Sequence, residues 1–196
     1  MELLIASNTK HKIEEIKAVL QGKFDKITTL SEEGIYCDPD ETGATFAENA
    51  LIKAQAVAKY TNKAVLADDT GLCVRALGGR PGVYSARYAS DDPLADKGHD
   101  SAANRRKLLR ELQGASDRSA YFQTVVVLLQ PSGKVVYGEG KVEGEILNQE
   151  QGANGFGYDC VFYSHELNKT FAEASPAEKL SVSHRSRALT DLLTKI

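Results

Sequence analysis

Two short apolar runs most constrain the fold of this chain. Leu3-Leu4-Ile5-Ala6 ends in the polar segment Ser7-Asn8-Thr9, and Ala64-Val65-Leu66-Ala67 ends in Asp68-Asp69-Thr70-Gly71. Short apolar runs bounded by turn-forming residues are typical of buried strands. We therefore predict two buried strands, each followed by a polar loop.

Helical patterns lie between these two strands. Ile13, Ile16, Val19 and Leu20 have helical spacing, and Thr45-Phe46-Ala47-Glu48 matches a capping box that opens a second helix. Alternating strands and helices indicate an α/β fold.

The rest of the chain predicts further elements and one domain spanning 1–196. A Gly-, Pro- and Asp-rich stretch, Leu77 to Asp100, is expected to be a long surface segment. The expected architecture is α/β, a long mixed central sheet flanked by helices, with two lobes and an active-site cleft between them. The predicted elements are a helix over 103–113, strands over 121–129, 134–137 and 141–147 with a turn at 130–133, and a last helix over 183–195.

Composition excludes several classes of function. Lys and Arg number 24 against 27 Asp and Glu, so the net charge of -3 does not favour nucleic acid or an anionic membrane as a partner. No apolar stretch is long enough for a membrane span, and the amino terminus does not match a signal peptide. The 3 cysteines form no CxxC pair, which indicates reduced thiols and a cytoplasmic protein.

The first candidate site is the loop Ser7-Asn8-Thr9-Lys10-His11-Lys12, at a strand-to-helix junction. Free backbone N–H groups and the helix dipole favour an anion there, and hydroxyls and lysines make phosphate the natural ligand. The alternative is an ordinary N-cap followed by a solvated basic turn. Neither GxxxxGK[ST] nor GxGxxG occurs in the chain.

The second candidate site is the adjacent pair Asp68 and Asp69. Neighbouring carboxylates repel each other, and a divalent cation or a basic partner offsets that cost. Hard oxygen ligands suit Mg²⁺, whereas the alternative is an Asx turn that ends the strand. Glu41, Glu48 and Lys53 lie upstream, and the sequence does not decide which acidic residue faces a metal.

Two more segments combine glycine with aromatic or charged residues. Gly78 to Tyr88 either closes over a ligand or forms a tight connection. The second group is able to stack on a base and to donate hydrogen bonds to it. It comprises Gly155-Phe156-Gly157-Tyr158-Asp159, Glu178-Lys179 and Ser183-His184-Arg185.

Taken in order, these motifs resemble the noncanonical purine nucleoside triphosphate pyrophosphatases, also called inosine triphosphate pyrophosphatases or Ham1-like proteins. The resemblance covers essentially the whole chain and includes Thr45 to Ala54 and Gly79 to Tyr88. It implies a homodimer with a two-lobed α/β structure. One departure is Thr9, where such proteins usually carry asparagine, so the role of position 9 is open.

The resemblance also implies residue roles. The early loop and Thr70 would bind the triphosphate. Asp69 would act as general base and metal ligand, and Lys53, near the phosphates, would be the second catalytic residue. Glu41 and Asp68 would be further carboxylates at the metal, expected to be Mg²⁺ with Mn²⁺ tolerated. The base pocket would comprise Phe156, Gly157, Tyr158, Asp159, Lys179, His184 and Arg185.

The reaction that the resemblance implies is hydrolysis of ITP, dITP or XTP to the monophosphate and pyrophosphate. Water is the expected nucleophile, because no Ser, Cys or His motif in the sequence has an evident activating base beside it. Two alternatives remain open at this point: a different nucleotide phosphohydrolase, and a nucleotide-binding sensor without turnover.

Overall fold

The structure, a computed structural model, describes residues 1–91 and 100–196. Its helices are α1 (Lys10–Leu20), α2 (Phe46–Ala58), α3 (Ser101–Glu111), α4 (Pro176–Val182) and α5 (His184–Leu193), with short 3-10 helices at Arg75–Leu77 and Gly82–Arg87. Its strands are β1 (Glu2–Ile5), β2 (Lys26–Thr29), β3 (Ala64–Val74), β4 (Ser119–Leu129), β5 (Val135–Ile146), β6 (Phe162–Ser164) and β7 (Lys169–Thr170).

The strands form a mixed sheet in the order β2-β1-β3-β4-β5-β6-β7. Strand β1 pairs in parallel with both β2 and β3, and Leu4 lies opposite Val65 in the latter pair. Strand β6 pairs antiparallel with both β5 and β7. The predicted α/β class and mixed sheet are therefore confirmed.

Two compact units divide the chain. The first comprises Met1–Asp69, Thr124–Gly140 and His184–Ile196. Because side chains alternate along a strand, its core has two halves. Leu3, Ile5 and Leu66 pack with α1 and α5 on one face of the sheet, while Leu4 and Val65 pack with α2 on the other.

The second unit comprises Thr70–Gln123 and Lys141–Ser183. Its core contains three aromatic side chains in mutual contact: Phe122 lies 4.7 Å from Phe162 and 6.1 Å from Phe171 between ring centroids. Leu72, Leu108 and other aliphatic residues surround them.

Several sequence predictions are confirmed. Helix α2 begins after Thr45, and the Thr45–Glu48 capping box is present. Helices α1, α3 and α5 match the predicted segments, and the turn at 130–133 is closed by a 2.9 Å bond from the Gly133 N–H to the Gln130 carbonyl. No helix in the described ranges is long and apolar enough to cross a membrane.

Other predictions are wrong. The predicted loop Asp68 to Gly71 continues strand β3, because Asp68 and Asp69 find cationic and amide partners that make burial of their side chains possible. The separate strands at 134–137 and 141–147 are one strand, β5. Its glycines obscured the alternating pattern, since they occupy buried positions where no side chain fits.

The predicted surface segment Leu77 to Asp100 is also partly wrong. It contains the 3-10 helix Gly82–Arg87, and Ser85, Tyr88 and Ala89 are buried. Positions 92–99 of that prediction lie outside the described residues. Strands β2, β6 and β7 and helix α4 were not predicted, because each is short or lacks a clear apolar period.

Candidate active site

The loop after β1 leads directly into α1, as the sequence predicts. Thr9 is the N-cap residue, and its backbone N–H donates to Ser7 Oγ at 3.3 Å. Asn8, Thr9, Lys10 and His11 are exposed. The start of α1 thus presents polar side chains to solvent, an arrangement that suits an anion.

Lys12 differs from its exposed neighbours. Its ammonium lies 3.1 Å from Asp68 Oδ2, and its side chain is only 18 % exposed. Burial lowers the pKa of Lys12, although the carboxylate of Asp68 opposes this effect.

Asp68 and Asp69 lie next to each other within β3, so their side chains point to opposite faces. Asp68 continues the face of Ala64 and Leu66, which packs with α1 and α5. Asp69 continues the face of Val65 and Ala67, which packs with α2. The strand alternation therefore sends the two carboxylates to different partners.

Asp68 is held by two cations. Besides Lys12, Arg185 of α5 donates from Nε to Asp68 Oδ2 at 3.3 Å, and its Nη1 donates to Glu15 of α1. Burial alone would raise the pKa of Asp68, but Lys12, Arg185 and Lys53 outweigh burial and lower it well below its ordinary value. Asp68 is thus an ionised carboxylate within a buried ion-pair network.

Asp69 has a different environment. Asn49 of α2 donates from Nδ2 to Asp69 Oδ2 at 3.2 Å, and Lys53, one helical turn further, lies 3.4 Å from Oδ1. Burial raises the pKa of Asp69, Glu41 raises it further, and Lys53 opposes both. A buried carboxylate with a raised pKa is a better proton acceptor than an exposed one.

Lys53 joins a second carboxylate to this group. Its ammonium donates to Glu41 Oε1 at 2.8 Å as well as contacting Asp69. Burial alone would lower the pKa of Lys53, but Asp69, Asp68 and Glu41 outweigh burial and raise it. Glu41 and Asp69 therefore converge on one cationic position.

The three carboxylates predicted to hold the metal do not form one group. Within residues 1–91 and 100–196, no cluster of three His, Cys, Asp or Glu residues could hold a metal ion. Asp68 faces away from Asp69 and is engaged by Lys12 and Arg185. The pair Glu41 and Asp69 still fits Mg²⁺, which proteins commonly hold through one or two carboxylates together with substrate phosphates and water.

A second polar group lies in the other unit. Lys179 donates to Asp159 Oδ2 at 2.7 Å, and the same oxygen accepts from the backbone N–H of Phe156 at 2.9 Å. The Lys179 ammonium also lies 4.7 Å from the centroid of the Phe156 ring. The turn needs Gly155, because a Cβ at that position would lie 2.3 Å from Asp159 Oδ2.

The remaining predicted site residues are distributed as follows. Tyr158 donates from its hydroxyl to the Ser85 carbonyl at 2.8 Å, and Gly157 has a φ of 60°. Thr70 follows Asp69 in β3, and the buried His184 begins α5. Gly78 to Tyr88 forms a packed connection, in which Ser85 Oγ accepts from the Leu72 N–H at 2.9 Å.

The first unit thus brings together Glu41, Lys53 and Asp69, and separately Lys12, Asp68 and Arg185, while the second unit brings together Phe156, Asp159 and Lys179. The structure commits the Arg185 guanidinium to Asp68 and Glu15, so its role in base recognition stays a prediction.

Asn49 and Glu15 were missed as site residues. Asn49 lies four residues before Lys53 and shares its helix face, a spacing that could have identified it.

Comparison with known proteins decides the family. A sequence model described as the Ham1 family matches residues 3–195. The chain belongs to the Ham1 family. The chain is similar to the dITP/XTP pyrophosphatase of Bacillus licheniformis, with 44% identity over 97% of this chain and 95% of the relative. The corresponding protein of Bacillus subtilis is 42% identical over 97% of this chain and 94% of its own length.

Solved structures agree with this assignment. The Staphylococcus aureus Ham1 protein superimposes with a TM-score of 0.86 and 41% identity, covering 100% of this chain and 97% of that chain. A structure described as a nucleoside-triphosphatase and dITP/XTP pyrophosphatase from Mycobacterium abscessus superimposes with a TM-score of 0.76 and 40% identity, covering 98% of this chain and 99% of that chain.

Proposed function

We propose that this chain hydrolyses noncanonical purine nucleoside triphosphates (ITP, dITP, XTP) between the α and β phosphates, releasing the monophosphate and pyrophosphate. The observation that carries the proposal is the buried Asp69, held by Asn49 and Lys53. Full-length similarity to proteins named dITP/XTP pyrophosphatase supports the same substrate class and a hydrolase acting on acid anhydrides.

In this proposal, Asp69 is the general base. Asn49 holds Oδ2, which fixes the orientation of the carboxylate, and burial raises the pKa of the group. Asp69 orients a water molecule and accepts its proton as the water attacks phosphorus. A side chain that attacks phosphorus needs an activating base next to it. In this proposal the base is Asp69, and it activates a water molecule, so water is the nucleophile.

The phosphates are assigned to the loop Ser7 to Lys12 and to Lys53. Backbone N–H groups at the start of α1 and the two partly buried ammonium groups of Lys12 and Lys53 oppose the charge of a polyphosphate. These local cations allow a chain of net charge -3 to bind a highly anionic substrate.

We assign Mg²⁺ to Glu41 and Asp69. When bound, the ion would polarise phosphate oxygens and lower the charge that the chain must neutralise. Lys53 contacts both carboxylates and holds them close together. Asp68 is assigned a positioning role instead, because its carboxylate pairs with Lys12 and Arg185.

The purine is assigned to the turn Phe156 to Asp159 with Lys179. Hypoxanthine presents an acceptor at O6 beside a donor at N1, whereas adenine presents a donor beside an acceptor. The ammonium of Lys179 lies 2.7 Å from the carboxylate of Asp159, so a donor stands beside an acceptor. This pair complements hypoxanthine and opposes adenine, while the Phe156 ring supplies a stacking surface.

The resemblance also leads us to propose a homodimer acting in the cytoplasm. The three cysteines, Cys37, Cys73 and Cys160, are all free thiols, as a reducing compartment requires. Sedimentation equilibrium tests the dimer: a single species with the mass of one chain would contradict it.

Product analysis tests the proposed reaction. The protein is incubated with inosine triphosphate and Mg²⁺, and the products are separated and quantified. Equimolar inosine monophosphate and pyrophosphate are expected. Orthophosphate with inosine diphosphate would indicate removal of the terminal phosphate, and binding without any product would indicate a nucleotide sensor.

A further inference from the structure

Arg105, on the first turns of α3, contacts the segment that leads to the proposed purine-binding turn. Its Nη1 donates to the Gly157 carbonyl at 2.9 Å, and its Nε donates to Glu150 Oε1 at 2.7 Å. The two acceptors lie seven residues apart in the chain. One planar guanidinium therefore ties together the start and the end of the segment 150–157.

Arg105 differs from the other arginines of the same helix. Its side chain is 18% exposed, whereas Arg106 and Arg110 are exposed residues. A partly buried arginine loses hydrogen bonds to water, and hydrogen bonds within the protein must replace them. Arg105 replaces them with bonds to one carboxylate and one backbone carbonyl. Its placement is thus specific rather than that of a solvated surface charge.

The peptide that Arg105 holds is one that needs an external restraint. Gly155 and Gly157 both have positive φ. Because glycine has no Cβ, steric clashes restrict its backbone angles little, so the backbone here is not held by the glycines themselves. Phe156 lies between them, and its N–H donates to Asp159, the partner of Lys179. The orientation of the Phe156 ring and of the Asp159 carboxylate therefore depends on how the Gly157 peptide is held.

The residue before Arg105, Asn104, holds the segment 85–89 through hydrogen bonds of its side chain. Asn104 donates to the Ala86 carbonyl at 2.9 Å and accepts from the Ala89 N–H at 2.7 Å. Tyr158 of the purine-binding turn donates to the Ser85 carbonyl. Helix α3 thus holds both segments that meet at Tyr158.

We propose that Arg105 is a positioning residue that determines purine affinity by holding the Gly157 peptide, a role that rests on the proposed function of the turn Phe156 to Asp159. Arg105 does not touch the phosphates in this proposal. Its removal should therefore weaken recognition of the purine while leaving recognition of the phosphates intact.

The test separates the two halves of the substrate. Binding of inosine, which has no phosphate, and of inorganic tripolyphosphate, which has no base, is measured by calorimetry for the parent, Arg105→Met and Arg110→Met. Arg105→Met should weaken inosine binding by about 10- to 100-fold, the cost of a misplaced contact group, and leave tripolyphosphate binding within a few-fold. Arg110→Met, on the same helix, should change neither.

Kinetics provide a second readout. For inosine triphosphate, Arg105→Met should raise KM and change kcat much less. Equal weakening of inosine and tripolyphosphate binding would indicate a merely structural role and overturn the proposal. Unchanged inosine binding in a folded Arg105→Met would also overturn it.

Arg105→Lys keeps the charge and the aliphatic stem, so it serves if Arg105→Met does not fold. Arg105→Lys should still weaken inosine binding selectively, because an ammonium lacks the forked donors of a guanidinium. The effect should be smaller than that of Arg105→Met, because the charge is kept. Unchanged inosine binding would overturn the proposal. Turnover of inosine triphosphate by the parent separately tests the proposed function, so failure of one is distinguishable from failure of the other.

Discussion

Asp68 and Asp69 are adjacent in strand β3, yet Asp68 pairs with Lys12 at 3.1 Å while Asp69 accepts from Asn49 at 3.2 Å on the opposite face. The side-chain alternation of a strand separates two groups that the sequence places together. One carboxylate is stabilised in its charged form, and the pKa of the other is raised. The two residues should therefore respond differently to the same substitution.

Asp69→Asn should keep the fold and lose most turnover. Loss of a general base costs roughly 100- to 10,000-fold in rate. Asparagine is nearly the same size and keeps one of the two acceptor oxygens. Its NH2 group would replace the other oxygen and face the donor of Lys53 or Asn49, so the thermal unfolding midpoint should fall modestly while the fold is kept. The measurement is kcat for inosine triphosphate, and a value within a few-fold of the parent would remove Asp69 from the role of base.

Asp68→Asn should instead reduce stability. The change leaves the buried Arg185 and the partly buried Lys12 without their shared anion, and breaking such a pair costs about 3 kcal/mol in the free energy of unfolding. Urea unfolding at neutral pH measures this cost. If the variant were as stable as the parent, the ion-pair network around Asp68 would contribute nothing to folding.

The same residue predicts an acid dependence of stability. The pKa of Asp68 is lowered in the folded protein, so its ionised form stabilises the fold at any pH above the ordinary value near 3.8. This contribution is lost progressively as pH falls below that value. The stability difference between the parent and Asp68→Asn should consequently shrink from pH 5 towards pH 2, and a constant difference would contradict the shift.

Gly140→Ala should destabilise the packing of α5 on β5. A Cβ at Gly140 would lie 2.1 Å from the His184 carbonyl oxygen, so the start of α5 would have to move. We expect a loss of about 3 kcal/mol in the free energy of unfolding, as for severe overpacking. Glu139→Ala, which truncates the exposed side chain next to it in β5, is the control and should change stability by less than about 1 kcal/mol, the most that an exposed side-chain contact typically contributes.

Activity should require Mg²⁺, tolerate Mn²⁺, disappear with a chelator and return when Mg²⁺ is restored. Glu41→Gln should raise the Mg²⁺ concentration that gives half-maximal rate, because one of two converging carboxylates is lost. Glu48→Gln is the control, since Glu48 accepts from the Thr45 and Ala44 N–H groups in the capping box. Full activity in a metal-free sample would refute the assignment.

Base selectivity should depend on Lys179 and not on Lys12. Adenosine triphosphate should be a very poor substrate, by about 10,000-fold, because a donor would face a donor in a site built on hydrogen bonds. Lys179→Met should reduce the preference for inosine over adenosine triphosphate, whereas Lys12→Met should slow both equally. The measurement is kcat/KM for both substrates, and an unchanged ratio in Lys179→Met would move base recognition elsewhere.

The local elements were predictable because their signals are local. The capping box at Thr45 and the helical period of Ile13 and Ile16 specify α2 and α1 without reference to the rest of the chain. The sequence pattern predicts two strands where β5 is one, because Gly138 and Gly140 interrupt the apolar alternation. Those glycines are needed for close contact with α5, which is distant in sequence.

The sequence by itself determined the α/β class, the main helices and the segments that carry the candidate chemistry, since each depends on neighbours within a few turns of the chain. Only the tertiary structure decided which polar groups contact each other. Arg185 pairs with Asp68 across 117 positions, Lys53 pairs with Asp69 and Glu41, and Arg105 donates to the Gly157 carbonyl. Hydrogen bonds and ion pairs depend on distances of a few ångströms. The partners and pKa shifts of these residues therefore depend on which distant residues the fold brings together.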